Sequence, residues 1–220
     1  MAKGTELRLK TLALASFGMV AASPALAHPH VFVTAKAELV FNAAGEVAAV
    51  RNIWQFDEAF SAFAVQGLDT NNDGALTAAE LAPLAQVNMD SLAEYGFFTW
   101  VSNNGAAAAF AAPQDYWLDI YSARLTLFFT LPLETPFRPT GEATVDVYDP
   151  EYYVAFDFTP ETPFALVDAP AACAFQYRPP GELDTDTVVA LAAIPADQMV
   201  PENLLPLTSI LAHHFAVSCP

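Results

Sequence analysis

Val31-Phe32-Val33-Thr34-Ala35-Lys36-Ala37-Glu38-Leu39-Val40-Phe41 decides the fold. Val31, Val33, Ala35, Ala37, Leu39 and Phe41 fall on one face; Phe32, Thr34, Lys36, Glu38 and Val40 fall on the other. A period of two is the signature of a strand with one buried face. Asn42-Ala43-Ala44-Gly45 supplies turn chemistry, and Glu46 to Phe56 reads as the returning arm of a hairpin.

Downstream, the pattern changes twice. Across 57–95 the spacing of Phe60, Phe63, Ala64 and Leu68, then of Leu81, Leu84 and Leu92, is helical. From Phe97 strand signals return, over Phe97 to Val101, Tyr116 to Tyr121, Leu125 to Leu131, Ala143 to Tyr148 and Tyr152 to Phe158. Asn103-Asn104-Gly105, Pro132 to Gly141 and Asp149-Pro150 separate them. Arg178-Pro179-Pro180-Gly181 leads to a last helical segment near Asn203 to Phe215. The expected fold is α+β: a β-rich antiparallel sheet or sandwich of about seven strands. It carries a helical, EF-hand-like insert at 57–95 and a C-terminal helical segment, in a single β-rich domain over 28–220.

The N-terminus reads as an export signal. Lys3, Arg8 and Lys10 precede an apolar run from Leu12 to Ala22, and Ala25-Leu26-Ala27 offers a cleavage site after Ala27. The run is too short to cross roughly 30 Å of hydrocarbon. Residues 1–27 are therefore expected to be removed, leaving a periplasmic chain with no membrane span. Of 8 basic and 25 acidic residues, the leader takes three and one. What remains is strongly acidic, which excludes nucleic acid as a partner because no basic stripe can form. In an oxidising compartment Cys173 and Cys219, the two cysteines of the chain, are expected to form a structural disulfide; paired thiolate metal ligands are the alternative.

Residues 69–80 carry the most specific motif, Asp-Thr-Asn-Asn-Asp-Gly-Ala-Leu-Thr-Ala-Ala-Glu. Against the twelve-residue calcium loop, Asp69, Asn71 and Asp73 occupy positions 1, 3 and 5, and Gly74 occupies the sharp turn. Ala75 offers its carbonyl, Leu76 anchors the loop to the core, Thr77 ligates directly or through water, and Glu80 supplies the bidentate carboxylate. Thr77 and Glu80 also form a capping box. Pro83 is expected to kink the exit helix. A solvated Asn/Asp turn is the bland alternative. A single exported loop of this kind is expected to bind Ca²⁺ for structure rather than signalling.

His28, His30, His213 and His214 form a second group. Cleavage after Ala27 would give His28 a free α-amine that chelates together with its imidazole, and His30 adds another imidazole. Pro29 has no N–H, which excludes the square-planar four-nitrogen motif. The remaining donors suit Ni, Co, Cu or Zn without choosing among them. The alternative is a pair of histidines that merely open a strand. On a helix His213 and His214 would lie about 100° apart and would not share an ion easily; one of them joining the N-terminal pair in space is the further alternative. A ligand pocket lined by Trp54, Trp100 and Tyr152 is a weaker reading than core packing. No nucleophile, phosphate loop or metalloprotease motif occurs, so the chain is not expected to be an enzyme.

The chain resembles a family of exported bacterial proteins of unknown function described as periplasmic components of an uncharacterised ABC-type transport system. The resemblance rests on His28-Pro29-His30-Val31, Trp54-Gln55-Phe56-Asp57-Glu58 with Phe60-Ser61, and the Asp69–Glu80 loop. It continues through Phe98-Thr99, Tyr148-Asp149-Pro150 with Tyr152-Tyr153, and the Phe215 to Cys219-Pro220 end. It implies transition-metal transport of the nickel/cobalt type, with an inner-membrane permease as partner.

Overall fold

The computed structural model describes residues 29–195, 198 and 200–220. The expected leader and His28 lie outside these residues. In chain order the strands are β1 Val31–Phe41, β2 Val47–Phe56, β3 Thr99–Asn103, β4 Ala106–Ala108, β5 Gln114–Tyr121, β6 Arg124–Phe137, β7 Ala143–Val147, β8 Val154–Phe158, β9 Phe164–Val167, β10 Ala174–Arg178 and β11 His213–Ser218. The helices are α1 Glu58–Ala64, α2 Ala78–Glu94, α3 Thr185–Ala192 and α4 Leu205–Thr208.

The protein is an α+β sandwich of two sheets. One runs β5-β6-β2-β1-β8 with β9 also on β1; the other runs β10-β11-β7-β3-β4. The alternation in β1 has the expected result: its odd-numbered residues are all buried. Trp54, Phe129, Leu39 and Phe215 from the two sheets meet in one core. Each such side chain contributes about 1.5–3 kcal/mol on leaving water.

The sheets are mainly antiparallel, but β8 and β9 both join β1 in parallel. They divide one long edge because Pro160 and Pro163 between them lack the N–H that a continuous strand needs. More strands form than the seven expected. Asn104 and Gly105, at φ of 49° and 80°, turn β3 back into a hairpin, so the alanine tract at 106–108 becomes β4.

The insert lies between β2 and β3. Asp57 caps α1: its carboxylate accepts the Phe60 N–H at 2.9 Å and the Phe32 N–H at 3.0 Å, tying the helix to β1. The buried Ser61 donates to the Asp57 carbonyl at 2.6 Å and accepts from the Leu125 N–H at 2.9 Å. α2 sinks Leu81, Ala85 and Met89 into the core and runs unbroken through Pro83. The C-terminal helical segment is shorter than its expected span. α4 is followed by a 3-10 turn at Ser209–Leu211, and the chain then extends into β11. His213, Phe215 and Val217 are buried on one side of that strand.

Candidate functional site

The loop 69–80 joins α1 to α2 and is shaped by its own side chains. Gly74 at φ 81° lets the chain turn where a Cβ would strain it, and Asn72 also lies at positive φ. The Asp69 carboxylate accepts from the Asp73 N–H at 3.2 Å and the Gly74 N–H at 2.9 Å. Asn71 accepts from the Asp73 N–H at 2.9 Å and donates its amide to the Asp73 carboxylate at 2.9 Å. Asp73 in turn accepts from the Ala75 N–H at 2.8 Å. Leu76 packs against the main core, as its position in the motif requires.

Glu80 closes the loop. One carboxylate oxygen accepts the Thr77 N–H at 3.0 Å and hydroxyl at 2.8 Å; the other accepts the Thr70 N–H and hydroxyl, both at 2.9 Å. Thr77 reciprocates from its hydroxyl to the Glu80 N–H, completing the capping box at the start of α2. The Thr77 amide and hydroxyl, then those of Thr70, lower the Glu80 pKa to about 2 although the group is exposed. The carboxylates are thus held by backbone, hydroxyl and side-chain amide donors. Among the described residues no three or more His, Cys, Asp or Glu are grouped to hold a metal ion.

The histidines separate. His30 sits at the start of β1, its N–H on the Tyr153 carbonyl at 2.8 Å and its ring 4.7 Å from the Tyr153 ring. His213 is buried, with Nε2 2.9 Å from the Phe156 carbonyl and Nδ1 2.8 Å from the Tyr177 hydroxyl. A carbonyl only accepts, so Nε2 carries the proton and Nδ1 accepts from Tyr177. Burial pushes the His213 pKa below its ordinary value, against the Phe156 carbonyl and Asp157, which favour protonation. His214 stands on the opposite face of β11, between the Asp146 carboxylate and the Arg178 guanidinium, each 2.5 Å from a ring nitrogen. Arg178 can only donate, so Nδ1–H of His214 faces Asp146. Adjacent residues on a strand diverge further than on a helix. Neither ring has a nitrogen left for an ion shared with His30.

The Tyr148-Asp149-Pro150 corner is built around a buried carboxylate. Asp149 accepts N–H groups of Glu151 at 2.8 Å, Tyr153 at 2.9 Å and Val154 at 2.8 Å. It fixes the turn that delivers Tyr153 to His30. Its Asp-Pro signal marked the turn in the sequence, but not the carboxylate's burial. The Thr208 hydroxyl donates to the Pro150 carbonyl at 2.7 Å, drawing the C-terminal segment over the corner. A cavity of about 130 Å³ remains, lined by Tyr148, Asp149, Tyr152, Phe156, Pro180 and Leu211. Trp54 lies in the core among Phe98, Phe129 and Phe156, and Trp100 tilts against Tyr148 at 4.5 Å; of the three aromatics expected around one ligand, Tyr152 alone lines this cavity.

Cys173 and Cys219 are joined in a disulfide across 46 residues. They lie one step beyond the last β10–β11 pair, Ala174 opposite Ser218, and staple the end of that ladder. No helix among the described residues is long and apolar enough to cross a membrane.

A search of the curated proteins finds no match to the chain. A family profile, described as protein of unknown function DUF1007, matches residues 13–219. That span takes in both sheets, the 69–80 loop, the Asp149 corner and the disulfide, and the chain belongs to the DUF1007 family.

Proposed function

We propose that this is a non-enzymatic, exported accessory protein of a transition-metal transport system, and that it binds Ca²⁺ through residues 69–80. The loop carries the calcium part of this reading. Asp69, Asn71, Asp73, the Ala75 carbonyl, Thr77 and Glu80 supply the hard oxygens that Ca²⁺ takes. Gly74 makes the turn at the required position. The ion would stiffen the junction between α1 and α2. Since α2 buries Leu81, Ala85 and Met89, that stiffening is structural.

The transition-metal part rests on the resemblance and on His28 and His30 at the expected mature N-terminus. His213 and His214 are committed elsewhere, so the donor set is the α-amine and two imidazoles, suited to Ni, Co, Cu or Zn. An inner-membrane permease is the partner this reading implies. Calorimetry of the mature protein, its N-terminus verified by mass spectrometry, tests both parts. Ca²⁺ binding lost in Glu80→Gln supports the first, and uptake of a transition metal lost in His28→Ala/His30→Ala supports the second. Absence of either uptake removes that part alone.

A second reading is a calcium-stabilised periplasmic interaction module without transition-metal binding. Exposed Trp117, Tyr121 and Phe32 on the first sheet favour it. Partner capture unaffected by His28→Ala/His30→Ala would select it.

A further inference from the structure

We propose that the outer face of the first sheet is a self-association surface, on which two copies of the chain pack face to face about a two-fold axis parallel to the strands between β6 and β2. The pairing register sets Trp117, Phe128, Ile53 and Lys36 in one row across β5, β6, β2 and β1. Trp117 stacks on Phe128 with centroids 4.6 Å apart, yet remains 45 % exposed. At one end of the same face Tyr121 and Phe32 are 48 % and 53 % exposed. These residues point away from the core, and among the described residues no helix covers them. Large aromatics left open on one sheet face mark an interaction surface.

Charge selects a second copy as the occupant. The chain as a whole carries −17. The outward positions of this face are different: Lys36, Arg51 and Arg124 stand against Glu38, Asp115, Asp119 and Asp157, close to balance. Two copies of so acidic a chain repel over most of their surface, and much less here. Arg51 is paired with Glu38 within the sheet, whereas Lys36 makes no ion pair among the described residues.

The symmetry supplies the complement. Rotation about the stated axis keeps each row in place and exchanges β6 with β2 and β5 with β1. Trp117 then lies over the partner's Lys36, a cation–π pairing. Phe128 lies over the partner's Ile53, and Tyr121 over the partner's Phe32. The twist of aligned sheets, about 30°, shifts the flanking rows by about one residue. The partner's Lys36 over Trp117 is also within a side chain's reach of Asp119, two residues along β5. Four strands at about 4.8 Å spacing give a flat footprint on the order of 500 Å². Side-chain relief raises it toward the roughly 800 Å² per partner of a stable interface.

The test is sedimentation equilibrium of the full protein at concentrations on the order of 100 μM. The wild type is expected to dimerise. Trp117→Glu and Lys36→Glu should each weaken the dimer at least about tenfold, and Lys36→Glu/Asp119→Lys should restore it by swapping the paired charges. Phe63→Glu, on the far more exposed α1 position, should leave it unchanged. Circular dichroism verifies the fold of each variant, and Lys36→Glu, at an exposed position, serves if Trp117→Glu does not fold. A monomeric wild type, a dimer indifferent to both single variants, or a swap that fails to restore association overturns the proposal.

Discussion

The Tyr177 hydroxyl lies 2.8 Å from Nδ1 of His213, and the same imidazole reaches the Phe156 carbonyl from Nε2 at 2.9 Å. One side chain of β11 thereby joins β10 to β8, strands of different sheets. A second proton would set Nδ1–H against the Tyr177 hydroxyl inside the core.

Acid sensitivity below about pH 6.5 is the consequence. Burial lowers the His213 pKa in the folded state, so the unfolded chain binds more protons in that window. Stability is full above the ordinary histidine value and declines as pH falls below it. Urea unfolding at successive pH values should show this slope. His213→Phe should flatten it, while lowering stability at pH 7.5 by about 1–3 kcal/mol for the lost hydrogen bonds.

Asp149→Asn should be destabilising although it preserves shape. The carboxylate serves three N–H groups with two acceptor oxygens, and an amide presents NH₂ to at least one of them. A loss of about 2–4 kcal/mol is expected by chemical denaturation. Amide exchange should rise first at Tyr153 and Val154.

Reducing the Cys173–Cys219 bond, or replacing both residues by alanine, should cost about 3–4 kcal/mol for a loop of this length on the chain-entropy account. Because Cys219 adjoins the end of β11, fraying should start at the Ala174–Ser218 pair. Hydrogen exchange at Ser218 and Val217 reads it directly.

Much of this is legible in the sequence, and for local reasons. β1 announces itself by alternation because its two faces differ in burial, and Thr77 to Glu80 announces a helix start because the capping box is a contact within four residues. The sequence over β11 favours helix up to Phe215, since Leu211, Ala212 and Phe215 satisfy a helical spacing, and only pairing with β7 and β10 decides between periods. The parallel addition of β8 to β1 joins residues such as Val31 and Val154, and no local pattern encodes such a partnership. The site divides likewise. The 69–80 motif is contiguous and readable, whereas the engagement of His213 by Tyr177 and Phe156 depends on tertiary contacts alone.

Calcium should raise the melting temperature, and the variants should separate its causes. At about one hundred times its Kd a ligand adds about 2.7 kcal/mol, a gain visible by calorimetry. Glu80→Gln should abolish that gain. Thr77→Ala removes the cap and one oxygen of the loop but keeps the Glu80 carboxylate, so it should lower the starting stability and reduce the calcium increment without abolishing it. The Glu80 pKa of about 2 sets the pH range. The contribution of its Thr70 and Thr77 contacts is present above its ordinary value of 4.5 and is lost as pH falls through about 2. Glu80 should therefore stay ionised at pH 4, where ordinary glutamates are largely protonated, and NMR titration of its side-chain carboxyl carbon would show the displaced midpoint. Equal melting temperatures with and without calcium at pH 7 would leave 69–80 as a hydrogen-bonded turn whose work is to start α2.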